Sequence, residues 1–267
     1  MEDFQIWLIA SAISLCIIIA AIFNYFYRIK IKKSTYHLGI TWLFQLKELL
    51  VLIQQHRGLT TGYINGDKEL QKRIIPLQTA IKTATLKLTH HGDWINQSEF
   101  WQGITDHWSR LLNKYKNSTS IDNYNQHNSL IANILFLIEE CAESHQLQEL
   151  YFDNNEPVSF LWQKLLYSAE YIGQARALGT GIAAAENATS VERIKLNYLK
   201  SRINELIKTN HLQDIEPDLT KLLTCITHQL LSDKPDIQPE VYFNLATASL
   251  TKVFQKFDQL LSSISNK

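Results

Sequence analysis

Residues 4–27 carry no charged side chain, and the stretch 7–23 is dense in Ile, Leu and Ala. About 24 such residues exceed the roughly 20 that a helix needs to cross the hydrocarbon of a bilayer, so the segment is predicted to span a membrane. A cleaved signal peptide would open on basic residues, keep a shorter apolar core and end on small side chains. Here the chain opens Met1-Glu2-Asp3 and the run ends Asn24-Tyr25-Phe26-Tyr27, so an uncleaved anchor is the expected reading. Arg28, Lys30, Lys32 and Lys33 follow at once, against two acids on the other flank. Basic residues favour the cytoplasmic side, which predicts N-out, C-in topology, with Trp7, Tyr25 and Tyr27 at the interfaces. No second charge-free run of spanning length follows. The expected division is therefore an anchor with its basic flank at 1–33 and one water-soluble body at 34–267.

In that body apolar residues recur at three and four positions, as in Leu130, Ile134, Leu137, Ile138 and Cys141 followed by Leu147 and Leu150. This is helical periodicity, and no stretch alternates cleanly enough to suggest a strand, so the fold class is all-α. Breaks are expected at 66–67, 92–93, 116–122, 153–157, 186–190, 210–214 and 232–239, which divide the body into eight helices. Cap chemistry supports several starts: Ser118 to Ser120 before Ile121, Thr189-Ser190 before Val191-Glu192, and Asp236 ahead of Pro239. Short connections between such helices imply antiparallel bundles. Only Ser34-Thr35 separates the anchor from the first soluble helix, so the two are expected to form one rod.

Charge narrows the function. Acidic and basic side chains number 26 each, leaving no net field to draw the chain onto nucleic acid. Cys141 and Cys225 stand alone in helical patterns and read as small buried residues, while Cys16 lies in the apolar run. The nine histidines, His90, His91 and His107 among them, form no HExxH or metal-ligand spacing. Nucleophile elbow, phosphate loop and dinucleotide fingerprint are absent too. The expected protein is not an enzyme, and neither metal nor cofactor is implied.

The informative conflict is between periodicity and charge. The inward stripe Leu46, Leu49, Leu50 and Ile53 continues onto Arg57, and the stripe Leu161, Leu165, Ala169 and Ile172 continues onto Arg176, then Gly179 and Ala183. Arginine is the minority cation, seven against 19 lysines, so two inward guanidiniums are not simple draws from a solvated surface. A guanidinium stays charged when desolvated and offers planar, forked donors suited to planar oxyanions. Small residues surround both: Gly58, Thr60, Thr61 and Gly62 beside Arg57, and Gly173, Gly179, Thr180 and Gly181 beside Arg176. Five helical glycines cost up to about 1 kcal/mol each, which close helix approach around a small cavity would offset. Taken singly, either arginine also resembles a snorkelling side chain or half of a carboxylate pair, with Glu170 as the candidate acid. Gln54, Gln55 and His56 read as solvated helix positions.

The segments Gln54-Gln55-His56-Arg57-Gly58-Leu59-Thr60-Thr61-Gly62 and Glu170-Tyr171-Ile172-Gly173-Gln174-Ala175-Arg176-Ala177-Leu178-Gly179 resemble the two motifs of the nitrate- and nitrite-sensing domain of bacterial antiterminators, chemoreceptors and sensor kinases. Tyr242-Phe243-Asn244-Leu245-Ala246-Thr247-Ala248 and the later Phe257-Asp258 are similar to that family's closing helix. The resemblance implies two packed four-helix bundles and a pair of ligand-binding arginines, Arg57 and Arg176, that meet nitrate or nitrite between them. Gly58, Thr60, Thr61, Gly62, Gly173, Gly179 and Thr180 would shape the pocket. Family members usually carry an output module. None is expected up to Lys267, so the signal would pass from the inner membrane to a separate partner protein. A homodimer is one arrangement that a tethered rod allows. The competing expectation is a membrane-tethered helical scaffold with no small-molecule ligand.

Overall fold

In the computed structural model, residues 2–208 and 212–265 are described. The apolar N-terminal stretch and the helix expected to follow it form one element, α1 (Glu2–Ile64), of 63 residues and roughly 95 Å. Ser34-Thr35 does not interrupt it, and Thr35 Oγ1 donates back to the Ile31 carbonyl within the helix. The apolar stretch includes an 18-residue window of mean hydropathy 1.5, none of it buried. This helix is thus long and apolar enough to cross a membrane. Burial begins only at Gly39 and Ile40.

Beyond α1 come α2 (Gln71–His91), the single turn α3 (Trp94–Gln97), α4 (Glu99–Lys114), α5 (Ser120–Ser144), α6 (Tyr167–Ala185), α7 (Ser190–Ile207), α8 (Glu216–Cys225) and α9 (Pro239–Ser265). Two π-helical stretches, Leu161–Leu166 and Ile226–Leu230, precede α6 and extend α8. Among the described residues there is no strand, only an isolated antiparallel bridge between Tyr151 and Pro157. The expected all-α class holds.

The chain punctuation follows local chemistry. Gly66 takes φ +120° in the turn after α1, a conformation that glycine alone adopts freely. Thr119 caps α5 by accepting from the Asp122 amide, and Thr189 with Glu192 forms a reciprocal capping box on α7. The expected break at 210–214 lies partly outside the described residues. One break went unpredicted: Ser98 accepts from the Trp101 amide and starts α4, so the segment expected as one helix after Asp93 is split into α3 and α4.

The part of α1 from Gly39 onward packs with α2 and α5, and α5 with α4. Trp42, Leu46, Leu50, Ile81, Trp101, Ile104 and Leu130 lie in the shared core. In the second bundle α6 packs on α7, α7 on α8, α8 on α9, and α9 back on α6. The bundles meet where α1 touches α9 and where α5 touches the π turn before α6. An ion pair from Lys47 to Asp258, 2.8 Å, crosses that seam. Among the described residues, eight principal helices therefore make two four-helix bundles, with α3 as the extra turn.

Candidate functional site

Both arginines point inward, as their register requires: Arg57 is 1% exposed and Arg176 8%. Arg57 reaches across the seam from α1 to α6. Its Nη1 lies 2.5 Å from Glu170 Oε1 and its Nη2 donates to Oε2 at 3.3 Å, a forked contact. Nη1 also donates to Asn128 Oδ1 on α5 at 2.6 Å, and the guanidinium carbon stands 5.7 Å from the centre of the Tyr124 ring. Glu170, itself buried, further accepts from Gln54 Nε2 and Gln174 Nε2, each at 2.8 Å. Gly173 makes the approach feasible, since a Cβ there would sit 2.7 Å from Arg57 Nη2.

Arg176 is held differently. Its Nη1 donates to the Thr247 hydroxyl at 3.0 Å, and its guanidinium lies 5.0 Å from the centre of the Phe243 ring, both residues on α9. It forms no ion pair among the described residues. Burial first, and the charge of Arg57 second, push its pKa down to about 10, so it carries its charge at neutral pH at a cost. Two guanidiniums and one carboxylate leave the buried cluster with one formal positive charge in excess.

Glu170, the candidate acid, pairs with Arg57 and leaves Arg176 without a carboxylate among the described residues. One expectation is corrected: the glycines do not line a common cavity. Gly179 admits the Tyr242 ring, Gly62 faces Leu70, Gly173 admits the Arg57 guanidinium, and nothing lies within 4 Å of where a Gly58 Cβ would stand. Thr60 and Thr180 bond back to the helix carbonyls of His56 and Arg176. Thr61, with Thr60, accepts from Asn123 Nδ2. Gly173 and Gly179 alone of the expected pocket-shaping glycines touch residues next to the guanidiniums.

Gln54 and His56, read as solvated, are buried, and only Gln55 is exposed. His56 belongs to a network whose proton positions follow from its end. His127 Nδ1 lies 2.7 Å from the Asn123 carbonyl oxygen, which only accepts, so Nδ1 carries the hydrogen and Nε2 accepts. His56 Nδ1 then donates to His127 Nε2 at 2.8 Å, and His56 Nε2 accepts from Gln78 at 3.1 Å. Both rings are neutral with every ring nitrogen engaged. The α5 stripe Leu130 to Cys141, continued backwards at three and four, lands on His127 and Asn123, so the sequence held a pointer to these residues.

Burial pushes the His56 pKa down to about 4 and holds His127 well below the ordinary imidazole range, and the two adjacent rings would repel if both took up protons. Between about pH 4 and 6.5 the unfolded chain therefore binds protons that the folded chain refuses, and stability falls as pH drops through that window. Near pH 5 the loss from His56 is roughly 2 kcal/mol, and His127 acts in the same direction. Thermal unfolding of the full chain in detergent checks this: the melting temperature should fall between pH 7.5 and 5, with a shallower decline in His127→Leu. An unchanged midpoint would mean that the folded chain takes up protons at both rings.

Among the described residues no group of three or more His, Cys, Asp or Glu side chains is placed to hold a metal ion. The chain matches no family model, and no curated protein or solved structure matches it either.

Proposed function

We propose that this protein is a membrane-anchored sensor of a small planar oxyanion, nitrate or nitrite, taken up between the two bundles by Arg176 together with Arg57. The observation that carries this reading is Arg176, a buried guanidinium without a carboxylate, beside an ion pair that leaves one positive charge uncompensated. A monovalent anion would bring the cluster to neutrality. Charge-assisted hydrogen bonds contribute about 1.5–3 kcal/mol each, so four or five offset ordering costs and leave the roughly 8 kcal/mol of micromolar affinity.

Transmission would follow the helix that carries Arg57. α1 runs without a break from the apolar anchor to Ile64, and where it leaves the apolar stretch Lys32 pairs with Glu149 at 2.7 Å in the connection between the bundles. A shift of one bundle against the other at the Arg57 seam is thus mechanically linked to the membrane segment. The basic flank after the apolar stretch supports a body on the cytoplasmic side, tethered to the inner membrane, from which it would signal to a separate output protein.

The second reading is a tethered helical scaffold in which the arginines serve packing alone, and the Arg57–Glu170 pair favours it. Ligand-dependent stability separates the two. In detergent the full chain should melt progressively higher as nitrate or nitrite is added, by about 2.7 kcal/mol at a hundred times Kd. Chloride should give no such rise, and Arg176→Met should abolish it. Identical melting curves with and without both oxyanions would leave the scaffold standing.

A further inference from the structure

We infer that Glu170 determines which anions this site admits: by engaging one of the two buried guanidiniums, it sets the cluster at a single excess positive charge, so that a singly charged oxyanion is accepted and a doubly charged one refused. The inference rests on the sensor reading above and deepens it.

Three features make Glu170 a fixed component of the site and not a side chain that swings away when an anion arrives. Both carboxylate oxygens are engaged, by Arg57 from α1 and by the amides of Gln54 and Gln174. The residue is 4% exposed, so water and counterions cannot replace those donors at low cost. Gly173, one turn further along α6, offers the Arg57 guanidinium a groove that only a missing side chain provides. What remains for a ligand is chiefly Arg176, whose named partners are a neutral hydroxyl and an aromatic face, supplemented by Arg57 donors beyond those given to Glu170 and Asn128.

The charge arithmetic then decides. A monoanion at Arg176 leaves the buried cluster neutral. A dianion leaves one uncompensated negative charge in the same low-dielectric seam, as unfavourable as the excess it removes. Selectivity of this kind comes from a repulsive element built against the competitor, which is the role the Glu170 carboxylate fills.

The experiment is calorimetric titration of the full chain in detergent micelles with nitrate and with sulfate at matched ionic strength, for the wild type, Glu170→Gln and Glu170→Asp. The wild type should bind nitrate at least about tenfold more tightly than sulfate, a difference of about 1.4 kcal/mol. Glu170→Gln removes the negative charge while keeping an acceptor for Arg57, and its affinity for sulfate should rise at least about tenfold. Glu170→Asp keeps the charge and should keep the preference for nitrate. The inference is overturned if the wild type takes sulfate as tightly as nitrate, or if Glu170→Gln binds nitrate yet gains nothing for sulfate. Should Glu170→Gln fail to fold, loss of the nitrate preference in Glu170→Asp, where the charge is retained, counts against it equally. Failure of the wild type to bind either anion is a different outcome, and it removes the sensor reading itself.

Discussion

Arg57→Ala is expected to destabilise the folded protein by about 3–5 kcal/mol, whereas Arg176→Met is expected to cost less than about 1.5 kcal/mol or to raise stability. The two arginines look equivalent in the sequence, and the difference comes from what each would leave behind. Without Arg57, the buried carboxylate of Glu170 has only the amides of Gln54 and Gln174 as donors, and a buried charge stripped of its countercharge is costly. Removing Arg176 strands no acid. It takes away a charge that burial and Arg57 already disfavour, and methionine keeps an unbranched stem that can pack on Phe243. Urea unfolding of the detergent-solubilised chain, followed by helical circular dichroism, measures both. If Arg176→Met proves the more damaging, the assignment of the ion pair to Arg57 is wrong. Combining Arg57→Met with Glu170→Leu should recover most of the Arg57 loss, because the cost belongs to the stranded partner and not to the missing pair.

Much of the helix layout was legible because several boundaries are written in local chemistry: a left-handed glycine at Gly66, a threonine cap at Thr119, a capping box at Thr189 and Glu192. The inward aim of Arg57 and Arg176 was legible for a similar reason, since register along a helix is a property of neighbours three and four positions away. Which arginine each partner serves was not. Glu170 was a candidate acid for either guanidinium, but it is separated from Arg57 by 113 positions, and its choice of Arg57 over Arg176 depends on how α1 and α6 cross, which no local pattern encodes. Glycines divide the same way. Gly58 and Gly173 look alike in sequence, yet only the second faces a side chain that its missing Cβ accommodates. Gln54 and His56 misled for the converse reason. Polar side chains suggest solvent, but here the His56 ring is satisfied from α2 and α5 and the Gln54 Nε2 finds Glu170 on α6.

The glycines also supply the second large effect. Gly179→Ala is expected to cost about 1–3 kcal/mol even after the gain of up to about 1 kcal/mol that alanine brings to a helix. Its Cβ would stand 2.3 Å from Tyr242 Cε1, 2.5 Å from Cζ and 2.6 Å from the hydroxyl oxygen. The ring cannot yield cheaply. Tyr242 is fully buried and donates its hydroxyl hydrogen to the Ala175 carbonyl at 2.8 Å, so relief requires moving α9 away from α6. Phe243 and Thr247 travel with α9, and both hold Arg176. The variant should therefore weaken any anion-dependent rise in melting temperature beyond its effect on stability alone. Tyr242→Phe should not rescue it, since the two carbon contacts persist without the hydroxyl. Gly58→Ala and Gly181→Ala are the internal comparison. Nothing lies within 4 Å of either added Cβ, so both should be neutral or stabilising by up to about 1 kcal/mol. Three alanines of equal effect would mean that α6 and α9 do not meet at Gly179, and the seat of Arg176 would have to be redrawn.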